Sequence, residues 1–212
     1  MLDHELIPAA DKNSRALMVM LHGLGDSIEG YRWFPEAMNL PWLNYALVNA
    51  PDEYYGGFSW YNIAGDHTPG VTRSRKMIFD LLDDLRRRGF PTEQTTLGGF
   101  SQGCLMSLDV ALRYPHKLAG IVGISGYVFE TEKTLTELSP IARQQRFLVT
   151  HGTMDPIVAF ARTKSQIQRL QSAGIQIAWH EFAKPHTIAG ETELNFIREF
   201  VSRGHPVAAM AR

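Results

Sequence analysis

Ser101 stands between two glycines, at a point where an apolar segment is followed by a helical pattern. The residues Gly99-Phe100-Ser101-Gln102-Gly103 match G-x-S-x-G, after the apolar run TTLGGF. In that context the motif predicts a tight turn that presents the serine hydroxyl outward, because the glycines remove side chains that would clash. The first amides of the helix would stabilise an oxyanion at the same place. The pattern therefore favours a nucleophilic serine over an inert serine in a glycine-lined turn.

A nucleophilic serine needs a base, and three histidines follow Ser101 at sufficient distance. His186 lies in FAKPHTIAGE, just beyond an apolar strand, where the active-site residues of parallel sheets gather. His180 lies inside that strand, and His205 lies in the terminal segment. His151 precedes the best candidate acid and is expected to make a structural hydrogen bond. We therefore predict that His186 is the base.

The acid that orients the histidine is expected between Ser101 and His186, since the order serine, acid, histidine is typical of folds with this turn. Asp155 lies in VTHGTMDPIV, in a loop after a strand and before a helix. An alternative role for Asp155 is to cap a helix that begins at Pro156. The other acids of the interval fall in helix, strand or polar-segment patterns: Asp109, Glu130, Glu132, Glu137 and Glu181. We predict Asp155 as the third member of a triad.

The glycine-rich stretch LHGLGDS follows an early apolar run. Because glycine lets the backbone approach a substrate oxygen closely, we predict that the amides of Leu24 and Gln102 form an oxyanion hole. Asp26 and Ser27 are expected to cap the next helix. A dinucleotide-binding loop is excluded, because Ile28 stands where G-x-G-x-x-G needs its third glycine. The G-K-[ST] triplet of a nucleotide-binding P-loop does not occur in the sequence.

Short apolar runs alternate with helical patterns, which predicts the α/β class: a mostly parallel central sheet with helices on both faces. Strands are expected at 16–21, 45–50, 95–100, 118–125, 146–152 and 175–182. Helices are expected at 72–88, 101–114, 156–173 and 191–203. We predict a single domain over residues 1–212, with a lid-like insertion at 127–145 and a tail at 204–212.

The bulk composition is that of a globular protein: 212 residues with a formal net charge of -1. The interspersed charges do not match a nucleic-acid-binding surface. Cys104 is the one cysteine, which excludes a disulfide within the chain and fits a reducing compartment. The polar N-terminus lacks a secretory signal, and no apolar run approaches the roughly 20 residues of a membrane span. We expect a cytoplasmic protein with neither a nucleic-acid partner nor a membrane span.

The segments LHGLGDS, NAPDEYYGGFSWYN, GGFSQG, HGTMDPIV and PHTIAGE occur in the order seen in the carboxylesterase/phospholipase family, which includes acyl-protein thioesterases. The chain resembles this family from about residue 17 to residue 200. The resemblance implies an α/β-hydrolase fold and a Ser-His-Asp mechanism on carboxylic esters or thioesters, without a metal or cofactor. It assigns the same triad and the same oxyanion amides as the residue patterns do.

The resemblance also places Trp60 beside the substrate groove, and we expect Phe58, Tyr61 and Ile157 to line the pocket. Where thioesterases of the family have an apolar channel for long acyl chains, the segment YVFETEKTLTELS is rich in charge. This departure favours small to medium acyl groups, with long acyl chains as the alternative. Cys104 replaces the glycine that usually follows GFSQG, and it is expected to be a small packed residue.

Two further functions fit the same scaffold: a non-catalytic ligand-binding protein and a peptidase. An intact triad favours an enzyme over the first. The absence of a propeller or cap domain argues against the second. The aromatic loop around Tyr54 and Tyr55 raises the expectation of a homodimer.

Overall fold

The central sheet of the protein has seven strands, as described by a computed structural model for residues 1–205. The strands in chain order are β1 (His4–Ile7), β2 (Leu17–Leu21), β3 (Asn44–Val48), β4 (Asp52–Tyr54), β5 (Gly57–Ser59), β6 (Thr95–Phe100), β7 (Gly120–Ile124), β8 (Arg146–Gly152) and β9 (Gln176–Phe182). The sheet order is β1-β3-β2-β6-β7-β8-β9, and β4 pairs with β5 in a separate hairpin. Only the edge strand β1 is antiparallel to its neighbour; the other pairs of the large sheet are parallel.

Helices cover both faces of this sheet. They are α1 (Ile28–Tyr31), α2 (Phe34–Met38), α3 (Thr68–Arg87), α4 (Gln102–Arg113), α5 (Thr131–Thr136), α6 (Phe160–Ser172) and α7 (Gly190–Gly204). One hydrophobic cluster joins the sheet to α3, α4 and α6, and the other joins it to α1, α2 and α7. None of the helices in residues 1–205 is both long and apolar enough to cross a bilayer.

Strand β2 illustrates why the predicted strands are continuously apolar. All of its side chains are buried. Leu17, Val19 and Leu21 belong to one hydrophobic cluster, whereas Met18 and Met20 belong to the cluster on the opposite face. The prediction of a mostly parallel sheet between two helical layers is therefore confirmed.

The structure differs from the predicted elements in several places. The helix expected from residue 156 begins at Phe160, because Oδ1 of Asp155 accepts the amides of Ile157 and Val158 in a turn before the helix. Asp155 is therefore not the cap of that helix. Strand β1 and the β4–β5 hairpin were not expected from the sequence, since each strand spans only three or four residues.

The segment 127–145 contains α5 and one turn of 3₁₀ helix at Ala142–Gln144. Its role as a lid remains a prediction. In the expected tail, His205 is buried against Trp42, with its Nε2 atom 3.2 Å from Oγ1 of Thr96. Residues 206–212 of that tail lie outside the described part of the chain.

Candidate active site

Ser101 occupies a strained turn between β6 and α4. Its φ of 54° is unusual for a residue other than glycine, and its amide is held by the carbonyl of Ile124 at 2.9 Å. A Cβ atom on Gly99 would lie 2.2 Å from the carbonyl oxygen of Gly103. A Cβ atom on Gly103 would lie 2.2 Å from the carbonyl oxygen of Leu21. Both positions of the motif therefore require glycine for the close approach of backbone to backbone.

The structure brings Ser101, His186 and Asp155 into one hydrogen-bonded chain. Nε2 of His186 lies 2.9 Å from Oγ of Ser101, and Nδ1 of His186 lies 2.7 Å from Oδ2 of Asp155. The Asp155 side chain is fully buried, whereas that of His186 is 16% exposed. This geometry allows the imidazole to take a proton from the serine while the carboxylate fixes its orientation.

The environment of Asp155 favours its ionised form. Burial alone raises the pKa of a carboxyl group. Here that effect is outweighed by the hydrogen bonds from His186 and from the amides of Val158 and Ile157, so the pKa of Asp155 lies below its ordinary value. An ionised carboxylate can accept the Nδ1–H of His186 and stabilise a positive charge on the ring.

The loops that present Asp155 and His186 are joined to each other. The amide of Thr153 donates to the carbonyl of Phe182, and the amide of Met154 donates to the carbonyl of Lys184. A Cβ atom on Gly152 would lie 2.3 Å from the Lys184 carbonyl, so the approach of the two loops requires glycine there. The relative position of Asp155 and His186 is thus fixed by backbone contacts.

Lys184 also anchors the histidine loop to α7. Its ammonium group lies 2.6 and 2.7 Å from the two carboxylate oxygens of Glu193, and both side chains are buried. Oε2 of Glu193 additionally accepts the amide of Ala189. Residues 184 and 189 lie on either side of His186, so this ion pair holds both ends of its loop. The pattern GETE at the start of a helix gave no signal of this pairing in the sequence.

The ring of His151 lies against the carboxylate of Asp155. Its Nε2 atom lies 3.0 Å from the carbonyl of Val158 and 3.5 Å from Oδ2 of Asp155. Burial lowers the pKa of His151, which favours the neutral ring, so Nε2–H donates to the carbonyl. The ring also stacks on Trp179 at 6.0 Å.

Two hydrogen bonds of the His22 ring hold the loop that contains Leu24. Its Nε2 atom accepts the amide of Ala50 at 3.0 Å, so the proton is on Nδ1, which donates to the carbonyl of Gly23 at 2.6 Å. The Gly23 carbonyl and the Leu24 amide belong to the same trans peptide and point in opposite directions. The Leu24 amide is thus directed away from His22, and Leu24 lines the cavity that contains Ser101.

The amides of Leu24 and Gln102 donate no hydrogen bond to any other residue of the described chain. Residues 24 and 102 both line the cavity beside Ser101. Gln102 is the first residue of α4, where helix amides have no partner within the helix. Both amides are therefore available to an oxygen of a bound ligand.

Trp60 lies behind the cavity rather than in it, which corrects the expectation for this residue. Its side chain is fully buried, and its indole N–H donates to the carbonyl of His22 at 2.9 Å. The amide of Trp60 donates to Oε1 of Gln102, whose Nε2 donates to the carbonyl of Tyr61. Trp60 thereby supports the loop that contains Leu24. Phe58 is likewise absent from the cavity wall and lines a separate surface depression with His4, Arg32 and Asn49.

The cavity at Ser101 has a volume of about 460 Å³, within the usual range for small-molecule sites. Tyr61 and Ile157 line it, as expected from the sequence. Six further side chains of the lining were not expected: Asp26, Ile63, His67, Phe100, Tyr127 and Val158. Phe100 is the last residue of β6 and Tyr127 comes shortly after β7, and this position at the carboxyl end of a central strand is the one sequence signal that could have identified them.

The other sequence candidates lie away from this cavity. His180 packs against Phe196, with the ring centroids 4.5 Å apart. Asp109 is buried and forms ion pairs with Arg75 and Arg113. Within residues 1–205 no three histidine, cysteine, aspartate or glutamate side chains are grouped closely enough to hold a metal ion.

Cys104 is packed behind the turn. A Cβ atom on Gly126 would lie 2.5 Å from the Cys104 Cβ, so no further side chain fits between them. Burial raises the pKa of the Cys104 thiol to about 12. A thiol in this environment stays protonated and is a poor nucleophile.

Known proteins resemble this chain over most of its length. The model of the phospholipase/carboxylesterase family matches residues 2–205. Acyl-protein thioesterase 1 of Schizosaccharomyces pombe is 33% identical over 173 residues, which cover 74% of this chain and 77% of that protein. Acyl-protein thioesterase 1 of Gibberella zeae is 28% identical in an alignment of 226 positions, gaps included, that covers 95% of each chain.

Solved structures agree with this relationship. The crystal structure of esterase PE8 superposes with a TM-score of 0.83 at 27% identity, and the match covers 96% of this chain and 99% of that one. Acyl-protein thioesterase 2 of Zea mays, at 22% identity, has the same fold with a TM-score of 0.80 over 95% of this chain and 98% of that one. The chain therefore belongs to the phospholipase/carboxylesterase family of α/β-hydrolases and is a hydrolase of the carboxylesterase and thioesterase class.

Proposed function

We propose that this enzyme cleaves carboxylic esters or thioesters of small to medium acyl groups, with Ser101 as nucleophile, His186 as base and Asp155 as the orienting acid. The observation that supports this most directly is the chain of two hydrogen bonds, 2.9 Å from Ser101 to His186 and 2.7 Å from His186 to Asp155.

Acylation begins when the substrate carbonyl lies in the cavity against the amides of Leu24 and Gln102. Nε2 of His186 takes the proton of Ser101 as Oγ attacks the carbonyl carbon. The carbonyl oxygen becomes an oxyanion that the two amides stabilise. Asp155 stabilises the imidazolium that forms.

Collapse of this intermediate expels the alcohol or thiol, which takes the proton from Nε2 of His186. An acyl-enzyme on Ser101 remains. A water molecule, deprotonated by His186, then attacks the ester carbon through a second oxyanion in the same site. The acid is released and Ser101 regains its proton, so that no group of the protein is consumed.

The cavity wall supports an acyl group of limited length. Its lining is mainly apolar, but the hydroxyls of Tyr61 and Tyr127 lie 3.2 Å apart and introduce a polar pair. An acyl chain that ends before this pair keeps apolar contacts throughout. Methylene groups that pass the pair contact oxygen atoms with which they form no hydrogen bond, which is less favourable than contact with an apolar wall.

A second candidate is the hydrolysis of long acyl esters or thioesters. Ile63 and Ile157 line the cavity and are 50% and 71% exposed, so apolar surface continues from the cavity to the outside. Relatives named acyl-protein thioesterases favour the same interpretation.

Hydrolysis of p-nitrophenyl esters from acetate to palmitate tests both candidates. The wild type is compared with Ser101→Ala and with Ser172→Ala, which removes an exposed serine on α6. Activity that peaks at short or medium chains and is lost only in Ser101→Ala supports the first proposal. A maximum at palmitate supports the second. Equal activity in Ser101→Ala contradicts the proposed nucleophile.

The cytoplasmic location and the homodimer remain predictions. Cell fractionation tests the first, and light scattering after size-exclusion chromatography tests the second. A monomeric mass at micromolar concentration would contradict the dimer.

A further inference from the structure

A second cavity of about 280 Å³ adjoins the one at Ser101. It borders His186 but not Ser101. The two cavities share the side chains of Asp26, Phe100 and His186, and the remaining lining of the second is Gly30, Tyr31, Trp33, Thr187, Ile188 and Gly190.

The position of this cavity relative to the imidazole suits a leaving group. The first cavity contains the serine and both unpaired amides, so it holds the acyl carbonyl. The leaving oxygen or sulfur must lie next to the ring of His186 to receive its proton. The body of an alcohol or thiol that starts at this ring can extend into the second cavity.

The lining of the second cavity is aromatic and apolar with one acidic group. The rings of Tyr31 and Trp33 are 6.5 Å apart, and that of Phe100 packs 4.9 Å from His186. Asp26 is the one lining residue with an acidic side chain. Aromatic faces beside a carboxylate are the surroundings that favour an ammonium ion.

The carboxylate of Asp26 is held in place by a hydrogen bond and has no ion-pair partner among residues 1–205. Its Oδ1 accepts the amide of Ser27 at 2.8 Å, and a Cβ atom on Gly30 would lie 1.8 Å from that oxygen. Gly30 thus leaves the space that the carboxylate occupies. Asp26 is not the cap that the sequence suggested, because the amide of Ile28 at the start of α1 donates to Oδ1 of Asn49 instead.

No ion pair within residues 1–205 includes Asp26. Arg32, the nearest arginine or lysine along the chain, is paired with Glu5 and Glu29. The positive end of the α7 dipole reaches the cavity at Gly190. The same turn contains two acidic residues, Glu191 and Glu193. Burial, with the negative charge of Asp26, raises the pKa of Tyr31, in keeping with a carboxylate close to its ring.

We propose that the second cavity binds the leaving group and selects alcohols or thiols that bear a positively charged ammonium group. The inference rests on the proposed function, because it assumes that His186 protonates the leaving atom. It assigns Asp26 and Trp33 to substrate recognition.

Two thioesters with the same acyl group test this selection. S-butyrylthiocholine has a trimethylammonium group in its leaving thiol, and S-(3,3-dimethylbutyl) thiobutyrate has the same shape without the charge. Both release a thiol that a colorimetric reagent detects. For the wild type we expect kcat/KM to be about tenfold higher for the charged thioester, the size expected for one carboxylate and an aromatic face at a partly exposed site.

The variant Asp26→Asn keeps an oxygen for the amide of Ser27 and removes the charge. We expect it to lose the preference, so that its kcat/KM for the charged thioester falls to within about twofold of its own kcat/KM for the uncharged one, since the carboxylate attracts only the charged leaving group. Trp33→Leu should reduce the preference in part. Glu29→Gln is the matched control, because Glu29 is an exposed acid of α1, three residues from Asp26, that does not line the cavity and should leave the preference unchanged.

Equal rates for the two thioesters in the wild type would overturn the inference, and so would a preference that survives Asp26→Asn. If the wild type cleaves the uncharged thioester and Ser101→Ala does not, the proposed function stands whichever way the preference falls. If the wild type cleaves neither thioester and no p-nitrophenyl ester, the proposed function fails and this inference fails with it.

Discussion

Lys184 and Glu193 form a buried ion pair with two short contacts, 2.6 and 2.7 Å, between the loop of His186 and the first turn of α7. Burial lowers the pKa of Lys184, and the charge of Glu193 opposes that effect. Each charge therefore depends on the other, because either one alone would be left in an apolar environment.

Removing one partner of this pair is expected to be costly. We expect Lys184→Met to lower the free energy of unfolding by about 3 kcal/mol or more, since it leaves Glu193 buried and unpaired. The double variant Lys184→Met/Glu193→Leu should be less destabilised than the sum of the single variants. Urea unfolding measures all three, with the exposed pair Lys76–Asp80 as control. Strict additivity of the two losses would show that the ion pair is not what stabilises the loop.

The variant Asp155→Asn separates the chemistry of the acid from its structural bonds. Asparagine keeps an oxygen for the amides of Ile157 and Val158 but cannot stabilise a charged His186. We expect kcat to fall about 10⁴-fold with little change in the unfolding midpoint. Steady-state kinetics on a p-nitrophenyl ester measures the effect. A decrease of less than tenfold would contradict the assigned role of Asp155.

His22 is expected to act as a positioning residue for the oxyanion amide. His22→Leu frees the carbonyl of Gly23, and we expect kcat to fall about 10- to 100-fold with a nearly unchanged KM, because the Leu24 amide acts on the transition state. His22→Asn keeps a donor near that carbonyl and should recover part of the loss. Equal kcat values in the two variants would mean that the hydrogen bond to Gly23 is unimportant.

His205 should make the protein less stable in acid. Burial, with the nearby charge of Arg146, lowers the pKa of His205 to about 4. As the pH falls, the unfolded chain therefore binds the proton of this histidine before the folded chain does. The free energy of unfolding is unaffected by this titration above about pH 6.5 and decreases by about 3 kcal/mol in total between that pH and 4.

The variant His205→Phe keeps the packing against Trp42 and removes this titration. We expect its free energy of unfolding to change less than that of the wild type between pH 7 and pH 4. Urea unfolding at a series of pH values measures the difference between the two proteins. The contributions of His22 and His151 to the pH dependence cancel in this difference, because both proteins contain these residues. Parallel curves for the two proteins would contradict the prediction.

The parts of the fold that follow from local patterns could be predicted from the sequence. Strands such as β2 are buried on both faces and therefore apolar throughout, and α4 starts after a serine between glycines. The beginning of α6 was misplaced because Asp155 uses its side chain to bind two amides ahead of the helix. Side-chain bonds of this kind are not encoded in hydrophobic periodicity.

The functional site could likewise be predicted from the sequence only in part. Ser101, His186 and Asp155 could be selected because each follows a strand of the sheet in a known order. Trp60 was expected beside the substrate groove because of the family resemblance, but a matching segment does not tell which face of a loop a side chain occupies. Sequence spacing does not predict the hydrogen bonds of His22 or the ion pair of Lys184 with Glu193, because these contacts form only in the folded chain.

The central claim is that Ser101 is an activated nucleophile, and reaction with a fluorophosphonate tests it most directly. The protein is treated with the probe at neutral pH, digested and examined by mass spectrometry. We predict a single adduct on the peptide that contains Ser101, its absence in Ser101→Ala and a strongly reduced rate of formation in Asp155→Asn. An adduct on another residue, or no adduct on a folded protein, would contradict the account.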